Sequence, residues 1–292
     1  MIKLTDVTKR YDNTTVVHPL NLQITEGEIV GIIGHNGAGK STTMKMISGL
    51  VEPTSGEVRV MGQDMWKHNL KVKQRIGYLP EESPLYEAMT AQQYLLFFSE
   101  LYQMPRRQAL KRIDQLLDSL GLPEKTKLTG EFSKGMKRKT AIARTLLHNP
   151  ELLILDEPNS GLDPLTSFFI INYLTTLKQE GKTIILSAHN LFHVESICDR
   201  VGIIKNGKLL VFDKMDVIRS RLGKREYQVI FRSEQKLDAY EYVHGSYIFR
   251  AGEVNAIANM LETISTNGWT LMDLSKRESA LEEIYVKLMT NG

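Results

Sequence analysis

Three observations predict an α/β fold for this 292-residue chain. Residues 151–155 read as an apolar strand, unbroken from Leu152 to Leu155, Thr183 to Ser187 form another, and a glycine-rich loop spans residues 34–42. Runs without polar alternation belong to strands buried on both faces, and such strands separated by helical segments make parallel sheets. The loop reads Gly-His-Asn-Gly-Ala-Gly-Lys-Ser-Thr. It follows Glu28-Ile29-Val30-Gly31-Ile32-Ile33 and precedes Met44, Met46, Ile47 and Leu50 at helical spacing. Strand, loop and helix in that order are the setting of a P-loop. Glycines at 34, 37 and 39 remove Cβ atoms, so backbone N–H groups are free to point at phosphate oxygens. Lys40 adds a point charge, and Ser41 offers a hydroxyl where phosphate-bound Mg²⁺ needs an oxygen. A plain glycine-rich turn accounts for the glycines but leaves the Lys-Ser pair unexplained.

The remaining elements follow from periodicity. Ile2 to Thr8, Val16 to Ile24 and Val58 to Met61 read as strands of a β-rich subdomain around the P-loop strand. From Thr90 the pattern turns helical. Thr90-Ala91-Gln92-Gln93 has capping-box form, and Tyr94, Leu95, Phe97, Phe98 and Leu101 make an apolar stripe. A second helix from about Arg106 carries Leu110, Ile113, Leu116, Leu117 and Leu120 and stops at Gly121. Val201 to Ile204 and Leu209 to Phe212 form a hairpin turned by Asn206-Gly207. Beyond about residue 222 short strands at Tyr227 to Phe231, Tyr247 to Arg250 and Trp269 to Leu274 alternate with helices at Val254 to Ile264 and Leu281 to Leu288. That is a small α/β unit of its own, with acidic and basic residues in near balance.

Composition excludes several classes. Apolar residues are 42% and charged residues 24%, as in a soluble globular chain. A net charge of +3 is too small and dispersed for a nucleic-acid partner. The run Lys134-Gly135-Met136-Lys137-Arg138-Lys139 reads, for most of its side chains, as a solvated helix face. The single cysteine, Cys198, excludes an internal disulfide and a thiolate-rich zinc site, and predicts a reducing compartment. No apolar run approaches the roughly 18 residues of a membrane span. The N-terminus lacks the apolar core of a signal peptide, so a cytoplasmic location is expected.

The second chemical element is Leu152-Leu153-Ile154-Leu155-Asp156-Glu157-Pro158. Two carboxylates leave the carboxyl end of a buried strand, where ligands of open α/β sheets bind. Asp156 suits Mg²⁺, and Glu157 suits a water attacking a γ-phosphate. Ser133 and Gly135 open a helix through Ala141, Ala143 and Leu146, a positive terminus far in sequence from the P-loop.

The ordered set of Gly34 to Thr42, Glu131-Phe132-Ser133-Lys134-Gly135-Met136, Leu152 to Pro158, Ser160-Gly161-Leu162-Asp163 and His189 resembles the nucleotide-binding subunits of ABC transporters over about the first 215 residues. The resemblance implies a P-loop NTPase core of ABC ATPase type, with an antiparallel β subdomain, a helical signature subdomain at about 82–148 and an accessory α/β domain at 222–292. It implies ATP and Mg²⁺ as ligands, with Asn36, Gly37, Ala38, Gly39, Lys40, Ser41 and Thr42 on the phosphates and Tyr11 stacked on adenine. Ser41, Asp156 and Glu81 are then the metal residues, and Glu157, His189 and Lys40 the catalytic ones. Ser133 and Gly135 are expected to face the ATP of a second subunit in a homodimer or a pair with a related ATPase, two ATP being sandwiched between them. Asp163 belongs to the loop that crosses this seam. The resemblance implies that transport is done by a separate transmembrane permease, docked near Pro84, Leu85, Tyr86 and Met89 and holding this subunit at the inner face of the membrane. Similarity to half-size exporter subunits, which end in a helix like Leu281-Glu282-Glu283, favours export.

Three positions depart from the family pattern. Glu81 stands where a glutamine is usual, and a carboxylate donates no hydrogen bond unless protonated. Lys134 and Met136 replace a glycine and a glutamine of the signature. The rival readings are a soluble ABC-like ATPase acting on nucleic acid or ribosomes, and a small-molecule P-loop kinase. The former calls for a coiled-coil insertion, zinc cysteines or a second cassette, and the latter leaves the signature loop unexplained.

Overall fold

The apolar runs become strands because they pair edge to edge and are covered on both sides, leaving no solvated face to alternate against. The computed structural model describes residues 1–67, 69–124 and 126–290, and the chain divides into two compact units, Met1–Lys214 and Met215–Gly292.

In the first unit, β1 (Ile2–Tyr11) and β2 (Thr14–Ile24) form an antiparallel pair. β3 (Ile29–Ile33), wholly buried, runs into the loop that opens α1 (Lys40–Ile47). β4 (Ser55–Val60) and β5 (Gln63–Asp64) complete a four-stranded sheet of order β2-β1-β4-β5. After α2 (Asn69–Lys73), β6 (Ile76–Leu79) leads to three helices, α3 (Ala91–Leu101), α4 (Arg106–Ser119) and α5 (Lys134–Leu146). The chain then returns through β7 (Leu152–Leu155), α6 (Pro164–Gln179), β8 (Thr183–Ser187), α7 (Leu191–Ile197), β9 (Arg200–Lys205) and β10 (Lys208–Lys214). The central sheet has order β10-β9-β3-β8-β7-β6. All its pairings are parallel except that of β9 with β10. Its core joins Val30, Ile32, Ile154 and Ile185 to Met44, Met46 and Ile47 of α1 and to Ile2, Leu4, Val58 and Val60 of the antiparallel sheet. Each such side chain contributes about 1.5–3 kcal/mol on burial.

This order fixes where the chemistry falls. The P-loop follows β3, His189 follows β8, Asp156 and Glu157 follow β7, and Glu81 follows β6. Four neighbouring strands therefore deliver their carboxyl ends to one edge.

Local signals act as expected at two turns. Thr90 accepts from Gln93 N–H and Gln93 reaches back to Thr90 N–H, a closed capping box. Asn206 and Gly207 both have positive φ, 48° and 73°, which suits the tight turn between β9 and β10.

Among the elements that go beyond the sequence prediction, β6 and α6 show why. β6 is short and interrupted by Gly77, which weakens its strand signal. The glycine is there for packing, since a Cβ would lie 2.6 Å from the carbonyl oxygen of Thr145 on α5. α6 shows no clean stripe because Leu165 and Phe168 lie exposed opposite its buried Ile170, Ile171, Leu174 and Leu177.

The second unit contains α8 (Met215–Leu222), β11 (Arg225–Arg232), β12 (Glu241–Val243), β13 (Ser246–Ala251), α9 (Val254–Thr266), β14 (Thr270–Glu278) and α10 (Leu281–Thr290). Its antiparallel sheet, order β12-β13-β11-β14, buries Val229, Phe231 and Tyr247 against Ile257, Met260 and Ile264 of α9. Trp269, expected to open the last strand, precedes it and stacks on Phe231 at 5.0 Å.

Candidate functional site

Residues Asn36 to Thr42 line a cleft of about 280 Å³ together with Val16, Glu81 and Glu157. Gly39 shapes it. This residue caps α1 with φ 102°, and a Cβ there would sit 2.9 Å from the carbonyl oxygen of Val16, so glycine is required on both counts. The Lys40 ammonium is buried and donates to the carbonyl oxygens of Gly34 at 2.8 Å and His35 at 3.2 Å. Burial pushes its pKa down, and the carboxylates of Glu157, Asp156 and Glu81 oppose that shift. A cation held among loop carbonyls and acids is ready to receive phosphate.

At the end of β7 the two acids differ. Asp156 is buried and accepts from Ser187 Oγ at 2.5 Å. Glu157 is also buried, and its N–H donates to the same Ser187 oxygen at 2.9 Å. Its φ is +48°, a conformation uncommon for a residue with a long side chain. Strained backbone of this kind concentrates at functional sites. His189 Nε2, on a half-exposed ring, lies 2.6 Å from Glu157 Oε1. Burial raises the Glu157 pKa above the usual carboxylate range, while His189 and, less strongly, Lys40 pull it back. Tyr78, on β6, has its phenol pushed up to about 12, by burial first and then by Asp156.

The structure thus gathers Asn36 to Thr42, Glu81, Asp156, Glu157 and His189 at one sheet edge. Tyr11, Ser133 and Gly135 do not line this cleft. Tyr11 ends β1, is 45% exposed as a residue, and has Lys9 Nζ 4.9 Å above its ring. Ser133 is the exposed N-cap of α5, accepting from Met136 N–H, and Gly135 is buried against Thr166 of α6. Lys134, which replaces a glycine of the signature, runs to Gly161 in the Ser160 to Asp163 loop. Leu85 is buried, and the Tyr86 ring packs on Tyr94, Phe97 and Phe98 while remaining half exposed. His68, a lone histidine with no catalytic or metal motif around it in the sequence and so expected to pack, lies outside the described residues.

Two residues escaped the sequence reading. Ser187 bridges both acids; the only trace of it in the sequence is a hydroxyl at the last position of an apolar strand. Arg138 corrects the reading of the basic run as a solvated face. It is 9% exposed, and its guanidinium donates to the carbonyl oxygens of Pro80, Glu81, Asp156, Glu157 and Pro158. Burial brings its pKa down to about 10, which leaves it charged at neutral pH. The spacing Gly135, Arg138, Ala141, Ile142, Thr145 puts it on the buried face of α5, a period the charge run conceals.

The ABC transporter family pattern matches residues 17–160. The bacitracin transport ATP-binding protein BcrA of Bacillus licheniformis is 37% identical over 303 residues, spanning 100% of this chain and 98% of that protein. This chain belongs to the ABC transporter ATP-binding family. The linearmycin resistance ATP-binding protein LnrL of Bacillus subtilis is 34% identical to this ABC ATPase, spanning 99% of this chain and 98% of the relative. Among solved structures, an ATP-binding subunit of an ABC transporter is 33% identical, with a TM-score of 0.69 over 76% of this chain and 92% of its own. A dimeric ATP-binding cassette in a post-hydrolysis state with ADP and Pi is 29% identical, with a TM-score of 0.68 over 74% and 99%. The ABC ATPase described here therefore binds and hydrolyses ATP, and the nucleic-acid and kinase readings fall away. Among its described residues no helix is long and apolar enough to cross a membrane.

Proposed function

We propose that this ABC ATPase pairs through ATP with a second subunit, a copy of itself or a related chain, and drives a separate transmembrane permease in the direction of export. The division into a nucleotide-binding domain at 1–215 and an accessory domain at 222–292 belongs to the same reading. The observation that carries it is the split between the P-loop cleft, with its Glu157–His189 pair, and the signature turn at Ser133 and Gly135, which does not line that cleft. The dimeric neighbour and the transport and resistance names of the relatives support it.

In this reading the P-loop N–H groups and Lys40 hold the phosphates of ATP, and Tyr11 stacks on adenine. Glu157 takes the proton of the attacking water, held in place through its backbone N–H by Ser187 and through its carboxylate by His189. Ser41, Asp156 and Glu81 fit Mg²⁺, because they are hard oxygen donors next to the P-loop and phosphate supplies further oxygens. The bound ion lends charge neutralisation to the phosphates. Ser133 and Gly135 complete the partner's ATP site, and Asp163 lies on the seam. Docking of the permease near Pro84 to Met89 places the subunit at the inner face of the membrane.

The deciding experiment is hydrolysis by the isolated chain against its own concentration. The rate is expected to rise more steeply than linearly where sizing shows monomer. Mixing Lys40→Ala with Ser133→Arg chains is expected to restore activity, since one of the two composite sites is then intact. A linear series with no recovery sinks the shared site. Co-purification of an integral membrane protein tests the permease.

A further inference from the structure

Arg138 spends all five of its N–H donors on backbone. Nε donates to Pro158 at 2.9 Å, Nη1 to Pro80 and Glu81 at 2.9 Å each, and Nη2 to Asp156 at 2.8 Å and Glu157 at 2.7 Å. These carbonyls sit just beyond the ends of β6 and β7, after the Asp156 N–H to Leu79 bond has closed the ladder between them. Past that point neither segment has a strand partner for these oxygens; Pro80 O also accepts from Ser83 Oγ and Glu157 O from Ser160 N–H, but Arg138 serves all five, and a buried carbonyl left short of donors is costly. The planar guanidinium fork takes the ladder's place.

The anchor has two further consequences. Glu157 sits at positive φ, and the peptide groups on both sides of it are held, its N–H by Ser187 and its C=O by Arg138. Arg138 itself belongs to α5, whose N-terminus is the Ser133 signature turn. One side chain therefore ties the Glu81 segment, the Asp156–Glu157 segment and the signature helix into a single body.

We propose that Arg138 is a positioning residue that holds Glu157 for hydrolysis and couples the chain's own site to its signature turn, and so to the ATP of the partner subunit. The coupling half rests on the shared-site reading above. Arg138 donates to backbone carbonyls and to no P-loop residue, so its loss is expected to leave the phosphate cradle intact and to strike turnover.

The test uses the full chain with Arg138→Gln, which keeps two donors, and Arg138→Lys, which keeps the charge and three donors. Each is first checked for cooperative thermal unfolding, so that whichever variant folds carries the test. The ATP dissociation constant is expected to stay at the wild-type value while turnover falls roughly 10²-fold, the scale of a misplacement near 1 Å. Added to Glu157→Gln, either substitution is expected to weaken ATP-driven dimerisation about tenfold or more by sizing. Wild-type turnover in a folded variant, or affinity and turnover falling together, overturns the positioning role. If Glu157→Gln alone stays monomeric with ATP, the shared site has failed and the coupling fails with it. If it dimerises and the double variant dimerises equally well, the coupling alone is overturned.

Discussion

The end of β7 and the start of α5 are both assigned to ATP phosphates in the proposed function, yet they are built in opposite ways. Asp156 and Glu157 are buried, bridged by Ser187, faced by His189 and anchored by Arg138, so every fixed point lies within the chain. Ser133 is exposed, and its hydroxyl accepts one helix N–H. A preorganised site can be completed from within, while a helix terminus turned outward waits for something brought to it. That difference predicts which mutations strike chemistry and which strike assembly.

The largest effect is expected from Glu157→Gln, which keeps the shape but replaces one accepting oxygen with an NH₂ donor and removes the carboxylate assigned as base. Single-turnover hydrolysis is expected to slow by about 10² to 10⁴-fold with ATP binding retained. A near wild-type rate takes Glu157 out of the mechanism. Next is Ser133→Arg, expected to cost about 10²-fold in turnover, the scale of one lost oxyanion-type contact. The helix also loses its cap, about 1 kcal/mol of stability. Titration of ATP onto the monomer is expected to show wild-type affinity. A weakened monomer affinity breaks the contrast between the two regions.

The pH dependence separates them further. With its pKa raised by burial, Glu157 is protonated at pH values where an exposed carboxylate remains charged, so the acid limb of turnover lies above the usual carboxylate range. His189 is the group that most opposes this shift. His189→Ala is therefore expected to move the limb of the pH profile upward as well as lower the rate, and an unmoved limb removes the pairing from the reaction. The same sign governs stability. The folded state holds the Glu157 proton more tightly than the unfolded chain does, so Glu157 disfavours the fold increasingly as pH rises through the window between its unfolded and raised folded values. The smallest effect is expected at Tyr86→Ala, which removes edge-on ring contacts worth about 0.5–1.5 kcal/mol. A small fall in melting temperature with unchanged basal hydrolysis marks this loop as lying outside the chemistry, and a loss of hydrolysis contradicts that.

Much of the architecture is legible in the sequence because its signals are local. The capping box at Thr90, the Asn206-Gly207 turn and the buried run at Thr183 to Ser187 each depend on residues a few positions apart. The P-loop and the Asp156–Glu157 pair are legible for the same reason: phosphate chemistry demands particular residues at fixed spacing. β6 and α6 were less visible, since Gly77 answers to Thr145 and the faces of α6 carry apolar residues on both sides.

What the amino-acid sequence determines alone is which residues carry chemistry and in what order the strands and helices come. What only the tertiary structure decides is which of them meet. Ser187 lies 30 residues from Glu157 and 31 from Asp156, and Arg138 reaches Pro80 across 58 residues. Such bonds leave no periodicity behind: Ser187 meets one side-chain oxygen and one backbone N–H, and Arg138 meets backbone carbonyl oxygens, which every residue possesses. A buried arginine inside a basic run looks like its solvated neighbours until the fold brings five carbonyl oxygens to its guanidinium.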